Sequence, residues 1–234
     1  MSDDVQDASG VQAALAAIRA RILAACKRSG RNPAAVKLVA VSKLQPTEKI
    51  RAAIAAGQLL FGENYAQELR DKADELRADL GSLASPEWHF LGALQTNKVK
   101  YVVGRASLVH TVDRLELAEA IAKRAAAAGL IQRVLLEVNV GEEPQKAGAR
   151  PAELPGLLEA IAALPSLRLE GLMCIPPAGV EAKRHFARLR ELRDENRAGT
   201  ELSMGMSDDF EAAIEEGATL VRVGTAIFGA RPGK

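Results

Sequence analysis

Eight short runs rich in β-branched residues alternate with longer segments of helical pattern, and this alternation constrains the fold more than any other feature of the chain. The runs occupy residues 37–43, 59–64, 87–92, 107–112, 133–140, 168–175, 201–207 and 219–229. Strands separated by helical segments are typical of βα units that build a parallel sheet. Eight units favour a closed (β/α)8 TIM-type barrel, with an open eight-stranded sheet as the alternative.

Length and composition are compatible with one domain built on this barrel. The chain has 234 residues and a hydrophobic share of 48%, and a barrel of eight βα units typically needs about 250 residues. We predict a barrel domain over residues 10–234 and a disordered N-terminal tail over residues 1–9. The segment from Gly10 to Ser29 has helical apolar periodicity, which predicts an additional N-terminal helix on the outside or base of the barrel.

Charge and targeting signals limit the partners that we expect. The chain carries 31 basic and 30 acidic residues, so no overall field attracts nucleic acid or an anionic membrane. The acidic start MSDDVQDASG is unlike a secretory signal, and charges interrupt each Ala-rich segment before the roughly 18 apolar residues of a spanning helix. Cys26 and Cys174 lack metal-site spacing. We predict a cytoplasmic protein with no metal, no membrane partner and no specific nucleic-acid partner.

Lys43 stands where a parallel barrel carries its functional residues, at the C-terminal end of the first strand. Val39, Val41 and Lys43 share one parity, so Lys43 points inward at the rim if the valines face the barrel interior. Partial burial there favours the neutral amine, which Schiff-base formation with a carbonyl requires. The alternative is a solvent-exposed lysine at a strand end.

The seventh and eighth units predict an anion site, because barrels often bind phosphate at these positions with backbone amides and hydroxyls. Gly205 and Gly224 would let the backbone approach an anion closely. Ser203, Ser207 and Thr225 could donate hydroxyl hydrogen bonds. In the alternative interpretation Ser207 is a plain helix cap and the glycines are turn residues.

Two further polar residues lie close to these strand ends. Arg222 interrupts an apolar strand, and if it shares the inward parity of Leu220 it projects into the barrel mouth; an interior salt bridge is the alternative. Asn64 ends the second run and either hydrogen-bonds a ring oxygen of a cofactor or caps a turn. His89 and His110 are predicted to be ordinary core or surface histidines.

Six motifs, taken together and in order, are specific to one family. The chain resembles the YggS/PROSC-type pyridoxal 5′-phosphate (PLP) homeostasis proteins, whose barrel is similar to the N-terminal domain of alanine racemase. The motifs are VAVSK ending at Lys43, FGENYAQE (61–68), WHFLGALQTNK (88–98), GLMCIPP (171–177), SMGMSDD (203–209) and RVGTAIFGAR (222–231).

The resemblance implies a PLP site and a role for each matching residue. It implies that Lys43 holds PLP as a Schiff base, that Asn64 lines the pocket, and that Arg222 faces the pyridine nitrogen. The residues that it implies for the phosphate region are Ser203, Ser207, Gly224 and Thr225.

The chemistry of this site favours a binding protein over an enzyme. PLP is a strong electron sink when an acidic partner keeps its ring nitrogen protonated, and a cationic Arg222 does the reverse. Racemisation needs an acid/base group on each substrate face, and the sequence offers only Tyr65 and Tyr101. We predict a monomer that buffers PLP or delivers it, with PLP-dependent apoenzymes as partners and no catalytic residues. The alternatives are a low-efficiency amino-acid racemase and an aldolase that uses Lys43.

Overall fold

A closed barrel of eight parallel strands forms the centre of the protein. The computed structural model describes residues 2–80, 85–177 and 181–230, with side chains from residue 9 onward except that of residue 80. The strands follow one another around the barrel in chain order. This arrangement confirms the predicted (β/α)8 TIM-type fold and excludes the open sheet. The strands are β1 (Lys37–Val41), β2 (Leu60–Glu63), β3 (Glu87–Phe90), β4 (Leu108–Val112), β5 (Gln132–Glu137), β6 (Leu167–Met173), β7 (Glu201–Ser203) and β8 (Leu220–Val223).

Helices surround the barrel, and most of them lie between consecutive strands. Short 3₁₀ turns at Pro33–Ala35, Thr96–Lys98 and Pro151–Glu153 add to them. The α-helices are α1 (Ser2–Arg28), α2 (Thr47–Ala55), α3 (Ala66–Leu80), α4 (Val99–Val102), α5 (Leu115–Ala127), α6 (Leu154–Ala162), α7 (Ala182–Asn196), α8 (Phe210–Glu215) and α9 (Thr225–Phe228).

The apolar residues form two layers, because successive side chains of a strand point to opposite faces. The larger layer lies between the strands and the helices and contains, for example, Phe61, Leu136 and Val223. The smaller layer fills the barrel interior, and its buried members are Val39, Leu91, Leu108, Leu135, Met173 and Leu220. Val41 packs against this inner layer. The inward parity predicted for Val39 and Val41 is therefore confirmed.

The last two strands are shorter than the apolar runs that predicted them. β7 ends at Ser203, and the backbone then turns through Gly205 at φ +89°. β8 ends at Val223, and the residues that follow form helix α9 instead of more strand. The prediction of one strand over 219–229 was wrong there, because an apolar run as short as Ala226-Ile227-Phe228 fits either a strand or a buried helical turn.

Helix α1 covers the outside of the barrel, where it packs on α2, α8 and α9. Its backbone is helical from Ser2, within the stretch for which we predicted a disordered tail. By length and composition the segment Ser9–Arg28 could cross a membrane, although the sequence analysis identified no such segment. Here its apolar residues Val11, Leu15, Ile18 and Ile22 are buried against the fold.

Candidate functional site

A cavity opens at the C-terminal mouth of the barrel, the end at which such barrels carry their sites. Six of the eight residues predicted for a cofactor line it: Lys43, Asn64, Ser207, Arg222, Gly224 and Thr225. The other lining residues are Val41, Gln45, Leu91, Ile175, Met206 and Gly229. The structure thus brings together a strand-end lysine, an arginine, an amide and two hydroxyls that are distant in sequence.

Lys43 lies in the turn that follows β1, and its neighbours fix this turn. The preceding Ser42 is fully buried, and its backbone N–H donates to the carbonyl of Gly62 at 3.0 Å. The following Leu44 has a left-handed backbone at φ +58°, a conformation that costs a non-glycine residue about 1–3 kcal/mol. The turn therefore directs Lys43 toward the cavity at a local cost in backbone energy, which surrounding contacts must offset.

A buried charged cluster behind the turn supplies these contacts. We refer to Ser42, Glu63, Glu68 and Lys72 as the turn cluster. The Lys72 ammonium donates to the Ser42 carbonyl at 2.7 Å, to Glu63 at 2.9 Å and to Glu68 at 2.6 Å. The Ser42 hydroxyl also donates to Glu63 at 2.6 Å. The N–H of Leu44 donates to Glu68 at 2.6 Å, so the cluster holds both residues that flank Lys43.

Glu63 is a fully buried carboxylate of the turn cluster. Burial raises the pKa of Glu63, while the Lys72 ammonium opposes that rise. One oxygen of Glu63 and one of Glu68 are buried without a hydrogen-bond partner among the described residues. The carboxylates therefore depend on Lys72 for compensation, because a buried charge without a partner is costly.

Ser207, Gly224 and Thr225 line the cavity on the side of β7 and β8. A Cβ atom at Gly224 would lie 3.0 Å from the Val41 carbonyl oxygen, so this position is tight for any larger residue. Helix α9 begins at Thr225, and the first N–H groups of a helix have no partner within it. The arrangement offers hydroxyl and backbone donors to an anion. Asp209 is directed elsewhere, since its carboxylate accepts the Met206 N–H at 2.6 Å.

Ser203 and Gly205 lie outside the cavity lining, which differs from the prediction for both residues. Ser203 is fully buried, and its hydroxyl oxygen accepts from Arg222 at 2.6 Å and lies 2.8 Å from His110 Nδ1. A Cβ atom at Gly205 would lie 2.8 Å from Phe210 Cα, so this glycine lets α8 approach the strand end. Ser203 supports Arg222 and Gly205 permits close packing; neither contacts the cavity directly.

Arg222 lies at the floor of the cavity, with the inward parity that the sequence predicted. Its side chain is buried, and its second terminal nitrogen donates to the Cys174 carbonyl at 2.9 Å. Among the described residues no carboxylate forms an ion pair with Arg222, so the alternative of an interior salt bridge is not what the structure shows. Burial lowers the pKa of Arg222, but a guanidinium stays cationic in proteins.

Two amide side chains that line the cavity each have an oxygen atom without a hydrogen-bond partner among the described residues. The Oδ1 atom of Asn64 and the Oε1 atom of Gln45 are buried and have no hydrogen-bond partner among the described residues. Both residues line the cavity. Buried polar atoms are nearly always paired, so these two are suited to a polar group of a bound molecule. Gln45 was missed in the sequence because it lies in a turn beyond the strand pattern.

Three other polar residues of the barrel have structural roles that the sequence did not establish. Asn139 organises its own loop, because its amide donates to the Glu143 carbonyl at 2.8 Å and accepts the Glu143 N–H at 3.2 Å. His89 and His110 are buried and hydrogen-bonded to each other at 2.9 Å. Strand parity could have indicated this position. His89 lies two residues before the inward Leu91, and His110 lies two residues after the inward Leu108.

Glu137 ends β5 with the same parity as the inward Leu135 and is buried. Burial raises the pKa of Glu137 to about 7, with the negative charge of Asp113 adding to the rise and Arg222 opposing it. Between about pH 4.5 and pH 7 the folded protein therefore binds a proton at Glu137 that the unfolded chain has released. Stability falls as the pH rises through this window.

We expect Glu137→Gln to flatten this dependence. The free energy of unfolding of the unsubstituted protein should fall by up to about 3 kcal/mol more than that of the variant between pH 4.5 and pH 7. Urea unfolding at several pH values measures the difference. Glu116→Gln, an exposed position on α5, is the control. Parallel pH curves for Glu137→Gln and the unsubstituted protein would contradict the assignment.

The fold and the site together define a barrel of the alanine racemase N-terminal type. The family model described as alanine racemase, N-terminal domain, matches residues 13–232. The chain belongs to the family of pyridoxal phosphate homeostasis proteins, also called YggS/PROSC-type proteins. It is 47% identical to such a protein from Aquifex aeolicus over 225 residues, with 93% of this chain and 96% of the relative covered. The Pseudomonas aeruginosa protein is 49% identical over 221 residues, with coverages of 93% and 94%.

A solved structure agrees with this assignment. The chain is similar to PipY from Synechococcus elongatus, a structure with PLP bound, at a TM-score of 0.80 and 38% identity. The match covers 94% of this chain and 100% of PipY. The family resemblance found in the sequence motifs is therefore confirmed.

Proposed function

We propose that this chain binds PLP, holds it as a Schiff base on Lys43, and buffers the cofactor or delivers it to PLP-dependent apoenzymes. It does so as a monomer in the cytoplasm, without a membrane or nucleic-acid partner. The names of its relatives and the PLP bound in PipY support the choice of ligand. The proposal for this chain depends on its own residues at the barrel mouth.

The observation that carries the proposal is one cavity that contains both Lys43 and the anion-binding side formed by Ser207, Gly224 and Thr225. PLP carries an aldehyde, which reacts with an amine, and a phosphate, which needs several hydrogen-bond donors. Lys43 supplies the amine, and the hydroxyls and backbone N–H groups supply the donors.

The remaining polar residues of the cavity fit the pyridine ring. The orphaned Oδ1 of Asn64 lies on the β2 side, where the side-chain amide can pair with a ring hydroxyl. Arg222 approaches from β8, and Leu91 and Val41 supply apolar surface. Cofactor sites are commonly of this kind, with apolar walls and a few placed polar groups.

The cavity also favours a carrier over an efficient racemase. PLP stabilises carbanions best when its ring nitrogen is protonated, and Arg222 only donates hydrogen bonds. Among the described residues lining the cavity, the titratable side chains are Lys43 and Arg222. Tyr65 is 51% exposed outside the cavity, and Tyr101 lies beside the cations of Arg70 and Lys100. A second acid/base group for the opposite face of a substrate is therefore lacking in this part of the chain.

Incubation of the PLP-loaded protein with single-enantiomer amino acids tests the carrier function. We expect the enantiomer to persist, and we expect PLP to pass to an added apoenzyme, measured by the activity that this enzyme regains. A control with the same concentration of free PLP separates delivery from simple release. Turnover of one enantiomer into the other that disappears in Lys43→Ala would replace the carrier with the racemase.

The anion side can be tested with the isosteric change Thr225→Val. A hydrogen bond to a charged group contributes about 1.5–3 kcal/mol, so the affinity for PLP should fall about 10-fold or more. The affinity for pyridoxal, which lacks the phosphate, should stay the same. Thr47→Val removes a hydroxyl that bonds Glu75 outside the cavity and serves as the control. Equal losses for PLP and pyridoxal would contradict the assignment of Thr225 to the phosphate.

A further inference from the structure

A continuous line of polar side chains crosses the apolar interior of the barrel. It begins at the cavity floor, where Arg222 donates to the Ser203 hydroxyl oxygen at 2.6 Å. Ser203 lies 2.8 Å from His110 Nδ1, and His110 Nε2 lies 2.9 Å from His89 Nδ1. His89 Nε2 ends the line at 3.4 Å from a carboxylate oxygen of Glu87, at the start of β3.

The two ends of this line determine the direction of every hydrogen bond in it. A guanidinium can only donate, and an ionised carboxylate can only accept. The pKa of Glu87 is lowered to about 2 by its hydrogen bonds to His89 and Ser107 and by the charge of Arg133, so this end is ionised at neutral pH. Glu87 also accepts from the Ser107 hydroxyl at 2.7 Å, which holds it in place.

The two histidines between these ends are neutral. Burial lowers the pKa of His89, and the complete burial of His110 lowers its pKa well below the usual value. A neutral imidazole has one donor and one acceptor nitrogen. Ser203 accepts from Arg222 and has one proton to donate, which goes to His110 Nδ1. His110 must then donate from Nε2 to His89 Nδ1, and His89 must donate from Nε2 to Glu87.

We propose that Ser203, His110, His89 and Glu87 form one polarised hydrogen-bond chain through the barrel, and that this chain holds the Arg222 guanidinium in a single orientation at the floor of the cavity. These four are positioning residues, since they act through Arg222. On the proposed function, they set the face that Arg222 presents to the cofactor ring. If His110 carried its proton on Nδ1, that N–H would face the Ser203 proton, and Nε2 would have no proton to donate to His89. Only the arrangement with both protons on Nε2 therefore pairs every donor of the chain with an acceptor.

Nitrogen-15 NMR of the histidine rings, recorded on the protein without PLP, tests the chain independently of cofactor binding. The protein has three histidines, so His185→Gln and His89→Gln assign all the signals. We expect His89 and His110 each to carry one proton, on Nε2, at neutral pH. A proton on Nδ1 of either ring, or a doubly protonated ring, would overturn the proposal.

Ser203→Ala provides the second measurement. The Nδ1 signal of His110 should move toward that of a nitrogen without a hydrogen bond, and the visible absorbance band of bound PLP should shift because Arg222 loses its orientation. Ser29→Ala, which removes a hydroxyl bonded to carbonyls of α1, should change neither signal. An unchanged His110 signal in Ser203→Ala would refute the chain; a shifted His110 signal with an unchanged PLP band would refute its action on Arg222. If Ser203→Ala fails to fold, the tautomers of the unsubstituted protein decide.

Discussion

Replacing Lys72 by methionine is expected to lower the free energy of unfolding by about 3–5 kcal/mol, the cost of removing one partner from a buried ion pair. Lys72 is 7% exposed and Glu63 is fully buried, so water cannot replace the lost cation. Glu63 and Glu68 would then face each other without compensation. Urea unfolding of Lys72→Met, with the exposed Lys123→Met on α5 as the control, measures the loss. A change below about 1 kcal/mol would contradict the role of the turn cluster.

A second substitution separates the charge from the packing of Lys72. Adding Glu63→Gln and Glu68→Gln to Lys72→Met removes the unpaired charges and should restore a large part of the lost stability, because neutral replacements of buried ionic networks are often tolerated. Lys72→Met alone should also weaken PLP binding, since the cluster holds Ser42 and Leu44 on either side of Lys43. If the triple variant regains its free energy of unfolding but still binds PLP weakly, the hydrogen bonds of the turn cluster are what position Lys43.

The inward position of Arg222 could be predicted from the sequence because it depends on strand parity, and the place of Lys43 at the barrel mouth could be predicted because it closely follows the end of β1. Alternation along a strand is a local property, and the inward valines of β1 and the inward Leu220 of β8 identify the face on which each residue lies. The eight repeated units likewise indicated the barrel. The inward face of a strand and the alternation of strands with helices are both determined by residues that are close in sequence.

The contacts that support the site could not be predicted, because they join residues that are distant in sequence. Lys72 lies on α3, 30 residues from the Ser42 carbonyl that it contacts. Ser203 has the strand-end position of a phosphate ligand, but its hydroxyl contacts Arg222 and His110. Only the packed barrel determines which polar groups meet. Helix α9 was missed for another reason: the apolar run Ala226-Ile227-Phe228 is so short that it fits a strand or a helical turn equally well.

Lys43→Ala should abolish covalent attachment of PLP, the largest effect that the account predicts. Without the amine no Schiff base forms, so the visible absorbance band of the PLP-loaded protein should be absent. The fold should persist, because Lys43 is half-buried at the rim and its removal opens no core cavity. Lys37→Ala is the matched control: Lys37 begins the same strand at the opposite end of the barrel and bonds Glu201. This variant should keep the band.

Borohydride reduction of the PLP-loaded protein, followed by peptide mass mapping, tests the central claim most directly. Reduction converts a Schiff base into a stable secondary amine, so the modified peptide identifies the lysine that held PLP. We predict one pyridoxyl group, located on Lys43 and absent from Lys43→Ala. An unmodified Lys43, or a label that is spread equally over surface lysines in both proteins, would contradict the account.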